Sequence, residues 1–211
     1  MKAVEVGDAV AEFDRCWNAR GVTRFELPEV DVNDILAKRY RLTPNVRLTR
    51  SAIWDMACKK ALDPVTYVPD VISQAGRLSA RQLKPGAEHF VRWSIQKAWL
   101  GEQRGRVIES IFLDHNAQKI IFLGQAEARA EDGTSTLAVD YQPLAHVEHS
   151  AGGTEQDPCH VWKIVFLTKT RDDRYIRSFK EMATAGRLPR YLEIYIEKDL
   201  GVQILNCPGR G

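Results

Sequence analysis

The sequence has no apolar run approaching the ~20 residues of a membrane-crossing helix, so no membrane span is expected. Its first ten residues carry Glu5 and Asp8 and no apolar h-region, which does not fit a secretory signal peptide. Charge of one sign is lacking too. Thirty Lys and Arg against 28 Asp and Glu leave +2, with no long single-sign block. A dedicated nucleic-acid binder carries a stronger basic footprint, so no nucleic-acid partner is expected. Cys16, Cys58, Cys159 and Cys207 are scattered without CxxC spacing, and reduced thiols in the cytoplasm are the simplest reading. There is no HExxH, GxSxG, P-loop or GxGxxG, so no cofactor and no metal are expected. Repeats and low-complexity tracts are absent as well.

What remains is an ordinary globular composition, 44% hydrophobic and 27% charged over 211 residues. At ~150 residues per domain this is one domain with extensions. Val10, Phe13 and Trp17 mark an amphipathic helix over 8–19, and a brief helix fits 33–40. Thr49 reads as the cap of a helix carrying Ile53, Trp54, Ala57, Cys58 and Ala61. Asp63-Pro64 starts a second helix.

After Pro69 the apolar period changes to 2. Five segments follow, at 71–83, 89–100, 105–113, 118–130 and 134–144. Pro85-Gly86, Gly101 to Gly105, Asp114 to Asn116 and Asp132-Gly133 separate them, which predicts an antiparallel meander. Residues 147–159 read as a long polar loop, followed by a strand at 160–168. Thr170 and Asp173 resemble a capping box for a helix with Ile176, Phe179 and Ala183 buried, ended by Gly186. Residues 189–205 fit a strand or a helix. The expected class is α+β: a curved antiparallel sheet of about six to seven strands gripping a long C-terminal helix, with an N-terminal helical extension.

This order resembles the START/SRPBCC superfamily, the helix-grip fold of ligand-binding proteins. The stretch LTRSAIWDMACKKALDPVTYVPDVISQAGRL (48–78) looks like that family's opening, and SFKEMATAGRL (178–188) like the end of its gripping helix. It is similar to a small branch found in microbial secondary-metabolite clusters. The resemblance implies an N-terminal extension over 1–45, a helix-grip domain over 46–188 and a C-terminal extension over 189–211. It also implies a pocket between sheet and helix for a hydrophobic or aromatic small molecule. Some members catalyse cyclisation or aromatisation, but no universal catalytic motif carries over.

Hairpin turns predict neighbours across the sheet. A turn centred on Gln103 sets Lys97 opposite Glu109 and Trp99 opposite Val107. A turn between Asn116 and Ala117 sets Glu109 opposite Gly124 and Ile111 opposite Phe122. Pro85-Gly86 sets Gln74 opposite Lys97 and Leu78 opposite Trp93. Asp132-Gly133 sets Gly124 opposite Tyr141. The result is a polar row of Gln74, Lys97, Glu109, Gly124 and Tyr141 on an apolar floor. Glu109 and Tyr141 would lie ~10 Å apart at the backbone, with only a glycine between them.

Lys97, Glu109 and Tyr141 are thus the candidate catalytic groups, for general acid/base chemistry on a polyketone. Gln74, Trp93, Trp99, Phe122, Tyr175, Phe179 and Met182 are the candidate ligand contacts. The plainer alternatives are a cross-strand ion pair that holds register and aromatic residues that fill a core. His146, Glu148, His149, Cys159 and His160 offer metal-ligating types without metal-site spacing. Ser94 and Lys97 match SxxK, but on a strand they point to opposite faces. Three functions stay open: a carrier, a cyclase or aromatase in the same pocket, and an oligomeric interaction protein with a closed core; a homodimer is the partner arrangement expected.

Overall fold

The computed structural model describes residues 5–206, so Cys207 lies outside the described residues. Helix α1 (Val6–Trp17) leads to strands β1 (Thr23–Glu26) and β2 (Val30–Asp31), then α2 (Val32–Arg39) and β3 (Arg41–Thr43). Helices α3 (Arg50–Leu62) and α4 (Pro64–Tyr67) precede the long strands β4 (Ile72–Gln82), β5 (Ala87–Lys97), β6 (Arg104–Asp114) and β7 (Lys119–Gln125). A small hairpin of β8 (Glu127–Arg129) and β9 (Ser135–Leu137) follows, then β10 (Ala145–Gly153) and β11 (Pro158–Phe166). A 3-10 turn (Asp173–Ile176), α5 (Arg177–Ala185), α6 (Arg190–Lys198) and β12 (Gln203–Asn206) complete the order.

Local chemistry sets the helix ends. Thr49 Oγ1 accepts the Ala52 N–H at 3.0 Å, and Asp63 Oδ1 accepts the Thr66 N–H at 3.2 Å, with Pro64 in the first turn. Gly186 closes α5 at φ 61°, a left-handed conformation that costs glycine nothing.

The sheet runs β1-β11-β10-β7-β6-β5-β4, with β2 also paired to β11. Every pairing in it is antiparallel. The inner face carries Phe90, Ile111, Ile120 and Phe122 against Ile53 and Ala57 of α3 and Leu192 and Ile196 of α6. Beside them, Trp162, Ile164 and Phe166 meet Phe179 and Met182 of α5. The outer face is covered by α1, whose Ala9, Phe13 and Cys16 pack on Phe112, Ile121 and Val165. Strand β1 thus joins the N-terminal stretch to the sheet edge, and α6 lies in the main core.

Two sequence expectations are overturned here. Residues 147–159 are not a loop. They form most of a β10–β11 hairpin in which Val147 pairs with Ile164 and His149 with Trp162. Polar side chains such as Glu148 and His149 read as solvated, but both are buried in the folded chain. The segment 134–144 is not a sheet strand: β9 pairs only with β8, and β10 takes the place beside β7.

Register is the third correction. Lys97 pairs with Arg104, and the loop 98–103 is closed by an Ala98 N–H bond to the Gln103 carbonyl at 2.8 Å. Its centre falls between Leu100 and Gly101 rather than at Gln103. The displacement is odd in register, so every β5 side chain changes face relative to β6. Glu109 therefore faces Arg92, and Trp93 faces Ile108. The β6–β7 turn does place Ile111 opposite Phe122 and Glu109 opposite Gly124. In β4, register shifts at Ile72/Gln74 and Arg77/Ser79 leave Gln74 opposite Ile95 and Gly76 opposite Trp93. The alternative parity would turn Phe90 outward, at ~1.5–3 kcal/mol for each such buried side chain.

Gly124 marks the point where β10 comes close. A Cβ there would lie 2.5 Å from the Ala145 carbonyl oxygen, a backbone atom of the neighbouring strand. Gly124→Ala is expected to cost ~1–3 kcal/mol through overpacking. Thermal melts should show the midpoint lowered by ~2–12 °C.

Candidate functional site

Between the inner face and helices α3, α5 and α6 lies a cavity of ≈ 260 Å³. Its walls are apolar, with Trp99, Phe122, Val147, Trp162, Phe179 and Met182 among them. Polar groups line it as well: Lys60, Arg92, Gln96, Glu109, His149 and Tyr191. A further wall is the segment 138–144, which contributes Ala138, Val139, Gln142, Pro143 and Leu144. That segment is tied down by the Val139 N–H to the Arg106 carbonyl at 2.9 Å and the Trp99 N–H to Gln142 Oε1 at 3.1 Å.

Strand pleat turns Arg92 and Glu109 to the same face, and they meet at 2.6 Å between Nη2 and Oε2. Both side chains are largely buried, 6% and 13% exposed. Arg92 Nη1 also donates to the Ala61 carbonyl at the end of α3, at 2.7 Å. Its Nε has no partner among the described residues.

Lys60 projects from the buried stripe of α3, and its Nζ lies 2.8 Å from His149 Nε2. Tyr191 Oη lies 3.1 Å from His160 Nε2. Helices α3 and α6 are held together by Tyr195 donating to Asp55 at 2.8 Å and by Lys59 bridging to Asp199 at 2.9 Å. This fixes Lys60 and Tyr191 relative to each other.

Burial governs the protonation of this cluster. Loss of water holds the Lys60 amine well below the usual lysine range; the Arg92 charge adds to this and Glu109 opposes it. Burial, then Lys60 and His160, holds His149 well below the usual histidine value. His160 is pushed down to about 3 by burial and the Lys60 charge. Burial also raises the Tyr191 phenol.

Of the candidate catalytic and ligand-contact residues, Glu109, Trp99, Phe122, Phe179 and Met182 line the cavity, as do Gly124 of the polar row and His149. The others are not among its lining residues. Lys97 bridges to Glu102 at 2.8 Å near the strand end. Tyr141 is 45% exposed, and its hydroxyl lies over Gly105 rather than Gly124. Gln74 is exposed on β4. Trp93 lies over Gly76, where a Cβ would come 2.7 Å from its Nε1. Tyr175 packs on Phe166 with ring centroids 5.2 Å apart. Sequence reasoning missed Arg92, Lys60 and Tyr191, and offered His149 only as a metal-ligating type. Lys60 did carry a signal, since it sits three residues after Ala57 on the apolar stripe.

His146 is on the outer face, near Glu12 and Cys16 of α1. Its Nδ1 accepts the Gly124 N–H at 3.1 Å, which leaves the ring proton on Nε2 toward Glu12. That nitrogen is a donor, and the Arg15 guanidinium already holds Glu12 at 2.6 Å.

Removing one partner of a buried ion pair strands the other. Arg92→Met is expected to lose ~3–5 kcal/mol in urea denaturation, and Arg92→Met with Glu109→Leu to regain most of it. Acid should also destabilise the fold. Between pH 6.5 and about 3 the unfolded chain carries a proton on His160 that the folded chain does not. Stability is therefore full above that window and falls within it by ~1.4 kcal/mol per pH unit per such group. Urea midpoints across the window should show this slope, flattened in His160→Phe.

No family model and no curated protein matches the chain. Solved structures do. The Zhui aromatase/cyclase from Streptomyces sp. R1128 superposes with a TM-score of 0.50 at 12% identity, over 83% of this chain and 95% of that one. Ara h 8.0201 superposes with a TM-score of 0.50 at 10% identity, over 82% of this chain and 95% of that one. At such identities the likeness is one of fold: with the sheet, α5 and the cavity in place, the chain has a helix-grip fold.

Proposed function

We propose that the protein binds a small, largely apolar or aromatic molecule bearing a polar group, in the cavity between sheet and helices. The observation that carries this is an apolar chamber that also presents a buried Arg92–Glu109 pair with an unpartnered Nε–H. A few placed polar groups in an apolar concavity are what orient a ligand. Size narrows the class. A closed apolar cavity of about 150 Å³ holds benzene. A cavity of ≈ 260 Å³ thus suits one or two fused rings. The open chamber disfavours an interaction protein with a closed core. No described helix is long and apolar enough to cross a membrane.

Catalysis is the second reading. It is favoured by Glu109 facing the cavity and by the aromatase/cyclase name of one structural neighbour. In that reading Glu109 moves a proton on a bound polyketone while Arg92 orients its carbonyl. Lys97 and Tyr141, which lie away from the lining, would act only from its periphery.

Trp99 and Trp162 report on the cavity directly. Titration with 1-naphthol is expected to quench their fluorescence saturably. Val147→Phe, which fills the chamber, should weaken binding at least ~tenfold, equivalent to ~1.4 kcal/mol. Quenching that never saturates, or that Val147→Phe leaves unchanged, overturns the proposal. Glu109→Gln separates the two readings: in a carrier it leaves most affinity in place, whereas in an enzyme turnover falls more than affinity.

A further inference from the structure

We infer that Lys60 captures carbonyl ligands covalently, its Nζ condensing with an aldehyde or ketone in the cavity to form an imine. This rests on the cavity being a ligand site, and it narrows the ligand class to carbonyl compounds.

Among the described lining residues, Lys60 supplies the one primary amine. It is 6% exposed, and its Nζ forms no ion pair among the described residues. The groups around it are Arg92 and Glu109 from β5 and β6, His149 from β10, His160 from β11 and Tyr191 from α6. Glu109 is already engaged by Arg92 at 2.6 Å. The Tyr191 and Phe122 rings, 4.7 and 5.4 Å from Nζ, do not replace a carboxylate, and the Arg92 cation opposes a second charge. Burial without a counter-ion favours the neutral amine, which keeps its lone pair for attack. A structural lysine would instead carry its charge to water or to an acid.

The chemistry balances without a further reactant. The Nζ lone pair forms the C–N bond while the carbonyl π pair moves to oxygen. The first amine proton passes from the nitrogen to that oxygen, giving a neutral carbinolamine beside the His149 ring, whose Nε2 and Nδ1 lie 2.8 and 3.2 Å from Nζ. The nitrogen then completes the C=N bond, and the hydroxyl leaves with the second amine proton as water.

The test uses the full chain with 2-naphthaldehyde and cyanoborohydride at neutral pH, followed by peptide mapping. Each unit by which an amine's pKa is lowered raises its unprotonated fraction ~tenfold, so Lys60 should be alkylated at least ~tenfold faster than exposed Lys38 and Lys180. Excess 1-naphthol should slow that reaction, and Lys60→Met and Lys60→Arg should abolish it. If a variant does not fold, the wild-type map decides alone. Aldehyde that quenches Trp99 and Trp162 but labels only exposed lysines overturns the imine and leaves the binding site standing. Failure of both naphthyl compounds to quench removes the binding site and the imine with it.

Discussion

The Arg92–Glu109 pair on adjacent strands is the contact on which the interior depends. Its geometry exists only because β5 and β6 pair in one register, with Arg92 and Glu109 opposite each other. That register also turns Phe90 inward with Ile111 and Phe122, so the ion pair and the apolar core require the same alignment. Through Nη1, Arg92 further ties the sheet to the end of α3. Two charges taken from water are tolerable only with such pairing and additional hydrogen bonds. The pair therefore specifies alignment more than it adds stability.

The order of α3, α4, the strands β4 to β7 and α5 was legible because punctuation residues sit at element ends. Thr49, Asp63-Pro64 and Gly186 act locally, and their effect does not depend on distant contacts. The β6–β7 register was legible for the same reason, since Asp114 Oδ1 accepts the Asn116 and Ala117 N–H groups and fixes a tight turn. The loop 98–103 has one glycine, Gly101, but no such device, and its centre is set by packing across the whole sheet. That displaced Lys97 and brought in Arg92.

The cavity's polar residues were hidden for a different reason. His149 and His160 look solvated by type, and only the closing of α6 over β10 and β11 removes their water. Lys60 was visible on its helical stripe, but a lysine there reads as a residue that reaches past the core. Gly124 was legible as a gap, though it accommodates the backbone at Ala145 rather than a tyrosine ring.

The segment 138–144 shows how scaffold and selectivity are divided in this molecule. It contributes a full side of the chamber, yet it belongs to no strand of the main sheet and is fastened through bonds such as that from Val139 to Arg106. Its length and side chains can therefore drift in evolution without disturbing strand alignment or the buried charges. The frame of paired strands is fixed by its own register, while the contour of the chamber on this side can be altered separately.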